Sequence, residues 1–443
     1  MTHGHPSRDF DVAVRALARV EGEGGLRVAV RDGSVVDLAL NIYEPPRFFE
    51  AFLRGRRAEE ASDITARICG ICPVAYQMSA CRAVEDAYGL EVTGQIAELR
   101  RLLYCGEWIQ SHALHVHLLH APDFLGYQDA VALAEHNPEA LARGLSLKKA
   151  GNAVMEVVGG RAVHPVNVRV GGFYGAPPKA AVRGLEAVLE QALKDALWTL
   201  GWAAGFDFPD VVGDYLFVAL RGQGRYPVGY VPSVPRIVSS GGLDLTPAEF
   251  DSLVVEEHVE RSTALHARLG GRDSYLTGPL ARWALNYDLV SPEVRSAASE
   301  AGLGAECKNP FRSILVRVAE IAEACLQALE ICRHYEEPDP PYLEAPGRAG
   351  TGWGATEAPR GLLLHRYRLN DAGRIEDARI VPPTAQNQIS IEDDLRRVVS
   401  SYLRGELQGD LDALQWTCEQ AVRNHDPCIS CAAHFLDLEV VEE

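Results

Sequence analysis

Along the first tenth of the chain, apolar and polar residues alternate in short runs. Val12 to Tyr43 contains RVEGEGGLRVAVRDGSVVDLALNIY, with Arg31-Asp32-Gly33 as a turn between two β-rich stretches. This predicts a small N-terminal β unit over residues 12–43. Beyond Pro46 the period changes to that of helices, and long helical segments are expected over Gln95–His120, Lys179–Gly205, Pro247–Leu269 and Phe311–Tyr335. In the last of these, Phe311, Ile314, Leu315, Val318, Ala322, Cys325, Leu329 and Cys332 recur at three-and-four spacing and mark one buried face. Near Gly361 the pattern reverts to strands, LLLHRYRL and IEDARIV, joined by Asn370-Asp371-Ala372-Gly373, which predicts a β-hairpin near 361–381. Helices over Ser390–Leu407 and Leu411–Asn424 follow. The expected fold is α+β and mainly helical: one domain over 1–443, with a central bundle of long helices within 94–336. The Pro-rich stretch Glu337–Tyr342 is a connection that need not divide it.

Composition narrows the function. The formal net charge of −18 opposes binding to nucleic-acid phosphates and to anionic lipid surfaces, so neither is expected as a partner. The N-terminal segment lacks the apolar core of a secretion signal, and no long uncharged apolar run appears elsewhere. A cytoplasmic protein is expected. Ten cysteines in 443 residues are too few for a disulfide scaffold, and thiols kept reduced are free to bind metal. Cys81, Cys105, Cys307, Cys325, Cys332 and Cys418 are scattered and read as core residues.

The remaining four form two Cys-x-x-Cys units at opposite ends of the chain, Arg67-Ile-Cys69-Gly-Ile-Cys72-Pro73 and Asp426-Pro427-Cys428-Ile-Ser-Cys431-Ala-Ala-His434. Each stands where a helix is expected to begin. Pro73 suits the first turn of a helix that Gly89 would stop, and Asp426 suits an N-cap. Thiolates at the positive end of a helix dipole are favoured as metal ligands. Four thiolates in two pairs suit a structural zinc ion, but zinc knuckles normally lie close together in sequence, whereas these are separated by most of the chain. A redox dithiol would leave one pair unexplained, and iron–sulfur ligation is a further alternative.

RICGICP near the N-terminus and DPCISCAAH at the C-terminus resemble the two signatures of nickel-iron hydrogenase large subunits. The resemblance implies a nickel ion held terminally by Cys69 and Cys428, with Cys72 and Cys431 bridging it to an iron that carries CN and CO; soft thiolates suit such metals. It extends to other segments. Arg19-Val-Glu21-Gly22 resembles the family's Arg-x-Glu-Gly, which implies proton transfer from a nickel thiolate by Glu21. Arg47-Phe-Phe-Glu50 resembles a segment that helps hold a Mg ion, which implies Glu50, His434 and, through its carbonyl, Gln388 as ligands. Glu357-Ala-Pro359-Arg360-Gly361 resembles the loop that suspends an arginine over the open metal position, where a permanent positive charge can polarise H2. Asp123 and Asp426 match the two carboxylates beside it, and Pro383 and Thr384 match residues around the CN ligands. On composition alone Glu21, Glu50 and Arg360 would be solvated turn or surface residues, and Asp123 a helix-end acid.

Two positions depart from the family pattern. Where the family carries a histidine four residues after the second cysteine, this chain has Tyr76. FLDLEVVEE follows His434, where many members are cut, so the chain is either an untrimmed precursor or of a lineage with little trimming. His112, His115, His117 and His120 crowd one helix and are assigned to packing and hydrogen bonding. His164-Pro165 and Gly171-Gly172 also look family-like and are read as structural.

The resemblance implies reversible heterolytic oxidation of H2, the proton leaving through Cys428 to Glu21. The chain has no further cysteine set for an electron relay and no Gly-rich nucleotide fingerprint. It therefore implies a small subunit with iron–sulfur clusters. Likeness of RICGICPVAYQ and EPPRFFEAFLRGR to the bidirectional cytoplasmic group implies flavin-bearing diaphorase partners that exchange electrons with NADP(H) or NAD(H). The rival is a structural subunit like the hydrogenase-derived quinone-module subunit of respiratory complex I, but such relatives have lost the cysteines that stand here.

Overall fold

A computed structural model describes residues 9–229, 235–271, 274–345 and 347–433. The N-terminal alternation forms an antiparallel sheet of β1 (Phe10–Val14), β2 (Gly24–Arg31) and β3 (Ser34–Ile42). Arg31 pairs with Ser34, which leaves Asp32 and Gly33 as a two-residue turn; both have positive φ, the geometry such a hairpin needs. The inner face of this sheet packs Val28, Val30 and Leu40 against Ile391, Leu395 and Val398 of a late helix.

Helices dominate the rest. α1 (Pro73–Tyr88), α2 (Gly94–Leu114), α3 (Pro138–Gly159), α4 (Glu186–Ala204) and α5 (Ser313–His334) bury one continuous core. α1 begins at Pro73 and stops at Gly89, whose φ of 64° closes the helix as a left-handed cap. Gly106 and Gly151 meet where α2 crosses α3: a Cβ on Gly151 would lie 2.5 Å from the Gly106 carbonyl, so only glycine permits this approach. Between His115 and His120 the chain makes a π-helical turn before the short helix Ala121–Leu125, so the long helix expected to His120 is regular only to Leu114. The scattered cysteines are all buried and unbridged.

Two expectations are corrected. Pro247–Leu269 is not one helix: Pro247–Leu253 is helical, capped by Thr246 and Glu249, but Val254–His258 and Leu265–Leu269 pair as an antiparallel hairpin. The run of β-branched and charged residues after Leu253 favours strands over the helix its spacing suggests. The hairpin expected near 361–381 has a third strand. β4 (Gly350–Ala358) pairs with β5 (Gly361–Leu369), which pairs with β6 (Ile375–Val381). Gly352 and Gly354 let β4 lie directly on α1, where added Cβ atoms would come within 2.1 Å of the Ala83 and Ser79 carbonyls. Two closing helices follow, α6 (Pro383–Leu403) and α7 (Leu411–Arg423). Among the described residues no helix is long and apolar enough to cross a membrane.

Candidate metal centre

Cys69 lies in extended backbone after a short turn, and Cys72 occupies the position before α1. Cys428 and Cys431 come from the other end of the chain, around the short helix Ile429–Ala432. The fold brings all four sulfurs within 4.8 Å of one another, each buried and none in a disulfide. Cys69 Sγ lies 3.4 Å from Cys428 Sγ, and Cys72 Sγ 3.8 Å from Cys431 Sγ.

Long-range contacts hold the two segments together. Arg47 Nη2 donates to the carbonyls of Ile68, at 2.7 Å, and Ser430, at 2.6 Å, bridging the residue before Cys69 to the one before Cys431. Ile429 N–H donates to the Glu21 carbonyl, tying the C-terminal motif to the Val20-Glu21-Gly22 segment. Thr384 Oγ1 accepts the Cys428 amide at 3.0 Å. The start of α1 is held by Glu107, whose buried carboxylate accepts the amides of Val74 and Ala75.

Charge in the cluster is uneven. Neighbouring thiols, Cys428 first, point hydrogens at Cys69 and hold its thiol well below the ordinary range, and the Ile71 and Cys72 amides also donate to its sulfur at 3.3 Å. Burial pushes Cys428 and Cys431 well above it. A dry pocket that crowds four thiols has little to stabilise several thiolates except a bound cation, and soft sulfur donors fit a transition-metal centre.

Glu21 Oε2 accepts the Cys428 thiol and the Ser430 amide, each at 3.1 Å. Burial raises its carboxyl above the usual range, and the negative charge on Cys69 adds to this. Arg360 is buried on the turn between β4 and β5, where Arg282 donates to the Ala358 and Pro359 carbonyls. Its Nε and Nη2 hold the Asp426 carbonyl and carboxylate at 2.8 and 3.1 Å, and Nη1 has no hydrogen-bond partner among the described residues. The Asp426 carboxylate is the main group that reinforces the Arg360 cation against the effect of burial.

Asp426 is not an N-cap. Its φ is 50°, Cys428 occupies the cap position, and its carboxylate turns to Arg360. Asp123 is held elsewhere: Arg423 grips it with two bonds of 2.8 Å and Arg19 with one of 2.5 Å, and among the described residues it makes no hydrogen bond to Arg360. Glu50, on the helix Phe49–Leu53, accepts the Ile380 amide at 2.6 Å, and burial pushes its carboxyl up to about 7. Gln388 on α6 is fully buried, and neither end of its amide has a hydrogen-bond partner among the described residues. Pro383 is the first residue of α6, and His434 lies outside the described residues.

Tyr76, on the first turn of α1, is buried with its hydroxyl near the sulfurs of Cys431, Cys72 and Cys428; burial above all keeps it protonated. Its ring lies 5.7 Å from that of His365, whose Nδ1 hydrogen-bonds to Tyr367. Sequence reasoning gave no role to Arg47, Glu44, Glu107 or Ser430. Arg47 and Glu44 lie in EPPRFFEAFLRGR and Ser430 in DPCISCAAH, but nothing local signals partners at the far end of the chain.

The four sulfurs alone would also fit a structural tetrathiolate ion. Such an ion needs neither an acid accepting from a ligand sulfur nor a buried guanidinium with a spare donor. Comparison with known proteins agrees. Residues 47–158 match the family model described as nickel-dependent hydrogenase. The chain is 32% identical over 433 residues to sulfhydrogenase 1 subunit alpha of Pyrococcus furiosus, covering 96% of this chain and 98% of the relative. It is 28% identical over 479 residues to the beta subunit of the NAD-reducing hydrogenase HoxS of Cupriavidus necator, covering 96% and 95%. In fold it matches an NAD+-reducing [NiFe]-hydrogenase in the H2-reduced state, with a TM-score of 0.83 and 24% identity over 97% of this chain and 100% of that one. The chain therefore belongs to the nickel-dependent hydrogenase family, as a catalytic large subunit.

Proposed function

We propose that this large subunit works reversibly on H2 with electrons exchanged through partner subunits, a small subunit carrying iron–sulfur clusters and flavin-bearing subunits that use NAD(H) or NADP(H). The observation that carries the reading is the 3.1 Å hydrogen bond from the Cys428 thiol to Glu21, inside a buried cluster of four sulfurs. Cys69, Cys72, Cys428 and Cys431 would hold nickel and an iron bearing CN and CO, which when bound supply the open position where H2 is polarised.

The surrounding residues then divide the work. Arg360, fixed by Asp426, presents a permanent cation in a dry site. Cys428 passes a proton to Glu21, whose carboxyl burial raises, so that it takes a proton more readily than an exposed carboxylate. Thr384, whose hydroxyl oxygen accepts the Cys428 amide, and Pro383 beside it in sequence would lie around the CN ligands. Asp123 acts at a distance, fixing Arg19 two residues before Glu21. Glu50, His434 and, through its backbone carbonyl, Gln388 would take a Mg ion; the carboxyl of Glu50, which burial pushes up to about 7, is one that a hard cation would stabilise in its charged form.

Among the described residues no second cluster of metal-ligating side chains exists to carry electrons onward, which supports a partner relay. The names of the NAD-reducing relatives support nicotinamide as the final acceptor. A cytoplasmic location fits that acceptor. Glu21→Gln should keep nickel and iron while lowering H2 turnover by about 10²- to 10⁴-fold, the range for a positioned proton-transfer group. Turnover at the unmodified rate would remove Glu21 from this role. The purified complex should reduce NAD+ or NADP+ under H2; reduction of dyes alone would sink the nicotinamide assignment.

A further inference from the structure

The turn that carries Arg360 is held from behind by a second arginine. Arg282, on the helix Pro279–Asn286, is fully buried. Its Nε and Nη2 donate to the two carboxylate oxygens of Glu320, each at 2.9 Å. Nη1 donates to Glu357 Oε2 at 3.0 Å and to the Ala358 carbonyl at 2.7 Å, and Nη2 also donates to the Pro359 carbonyl at 2.8 Å. Every N–H of the guanidinium is thereby used. Its centre lies 4.3 Å from the ring of Trp108, whose indole N–H donates to the Glu357 carbonyl at 3.1 Å.

The two carboxylates are fixed in turn. The Tyr226 hydroxyl donates to Glu320 Oε1 at 2.6 Å, and the Leu220 amide to Glu357 Oε1 at 2.8 Å. On the other side of the turn, a Cβ on Gly278 would lie 2.7 Å from the Arg360 carbonyl, so glycine lets the backbone of Arg360 close against this segment. The Ala358 and Pro359 carbonyls belong to the two planar peptide groups that lead into Arg360. Pinning both sets the direction in which the Arg360 side chain leaves the backbone. A buried ion-pair set of this kind gains little stability over apolar packing, so what the guanidinium fork adds here is geometry.

We infer that Arg282, clamped by Glu320 and Glu357, is a positioning residue for Arg360, setting where that guanidinium stands relative to Asp426 and the four sulfurs. The inference rests on the role proposed above for Arg360. Arg282 touches neither the sulfurs nor the reacting position and acts only through the turn. A lysine in its place keeps the charge between the carboxylates but cannot grip both carbonyls and both acids at once. Misplacing a catalytic group by about 1 Å costs about 10²-fold in rate.

The test uses the purified complex with Arg282→Lys and with the milder Glu320→Gln, which leaves Arg282 in place but loosens it and carries the test if Arg282→Lys fails to assemble. Each is made alone and together with Arg360→Lys, and nickel and iron content verifies an intact centre. The first readout needs no turnover: crystal structures of the single variants show whether Arg360 still lies on the Asp426 carbonyl and carboxylate. It is expected to leave them while the four cysteines and Asp426 stay in place. The second is a double-mutant cycle on H2 turnover. Arg282→Lys is expected to lower turnover by about 10²-fold, Glu320→Gln by less, and neither to lower it further once Arg360 is lysine. Arg360 unmoved with unchanged turnover, or a loss by the same factor in both backgrounds, would overturn the positioning role alone. Full turnover in Arg360→Lys would overturn the role of Arg360 and this inference with it.

Discussion

Arg47 joins the two halves of the metal centre, and its removal should separate metal retention from the rest of the fold. Its Nη2 donates to the Ile68 and Ser430 carbonyls at 2.7 and 2.6 Å, and its guanidinium lies 5.5 Å from the Phe49 ring. A hydrogen bond from a charged donor contributes about 1.5–3 kcal/mol, so two would give roughly 3–6 kcal/mol. Arg47 is only half-buried, and water screens part of this, which lowers the expected loss in Arg47→Leu to about 2–4 kcal/mol. Arg47→Lys keeps one point-charge donor and should lose about half as much. Urea unfolding of the metal-free chain, with its slope unchanged, measures the stability term; nickel and iron per chain in protein made with its maturation machinery measures retention. A midpoint for Arg47→Leu within about 0.5 kcal/mol of the unmodified protein, together with full metal content, would refute the reasoning.

Other sites give separate tests. Gly354→Ala would place a Cβ 2.1 Å from the Ser79 carbonyl and should destabilise the fold by at least about 3 kcal/mol, measured by urea unfolding; a change under about 1 kcal/mol would mean β4 does not rest on α1 as described. His117 is buried and its imidazole is pushed down to about 4, so between its unfolded value near 6.5 and about 4 the unfolded chain takes up a proton that the folded chain refuses. Stability should therefore fall as pH falls through that window, and His117→Phe, which can keep the stacking on Trp202, should flatten the slope; an unchanged slope would exclude this histidine as a source. Tyr76→Phe removes a buried hydroxyl beside Cys431 and should move a CO band of the loaded centre to lower wavenumber at constant metal content, because a sulfur ligand without that neighbouring hydroxyl would give more electron density to iron; an unmoved band would show that the hydroxyl does not act on the centre.

Much of this was legible from local signals. Pro73 and Gly89 bracket α1, and Asp32-Gly33 fixes the first hairpin, because each acts through its own backbone. The spacing over 247–269 misled because three-and-four periodicity also occurs by chance in a helix followed by a hairpin, and β4 was hidden because its glycines serve contact with α1 rather than strand propensity. At the site, the cysteines carry their own chemistry and were found. Arg47 and Ser430 lie 383 residues apart, and Glu44 and Ser430 386, so these hydrogen bonds exist only once the chain ends meet. Asp123 shows the converse, since its position matched a motif while its hydrogen bonds go to Arg19 and Arg423.

The most direct test of a nickel-iron centre on Cys69, Cys72, Cys428 and Cys431 is the infrared spectrum of the complex purified after expression with its maturation machinery. Bands of iron-bound CN and CO are expected, in protein that contains nickel and loses both bands and nickel in Cys428→Ser. A spectrum without those bands, from protein whose four thiolates hold zinc and no nickel, would contradict it.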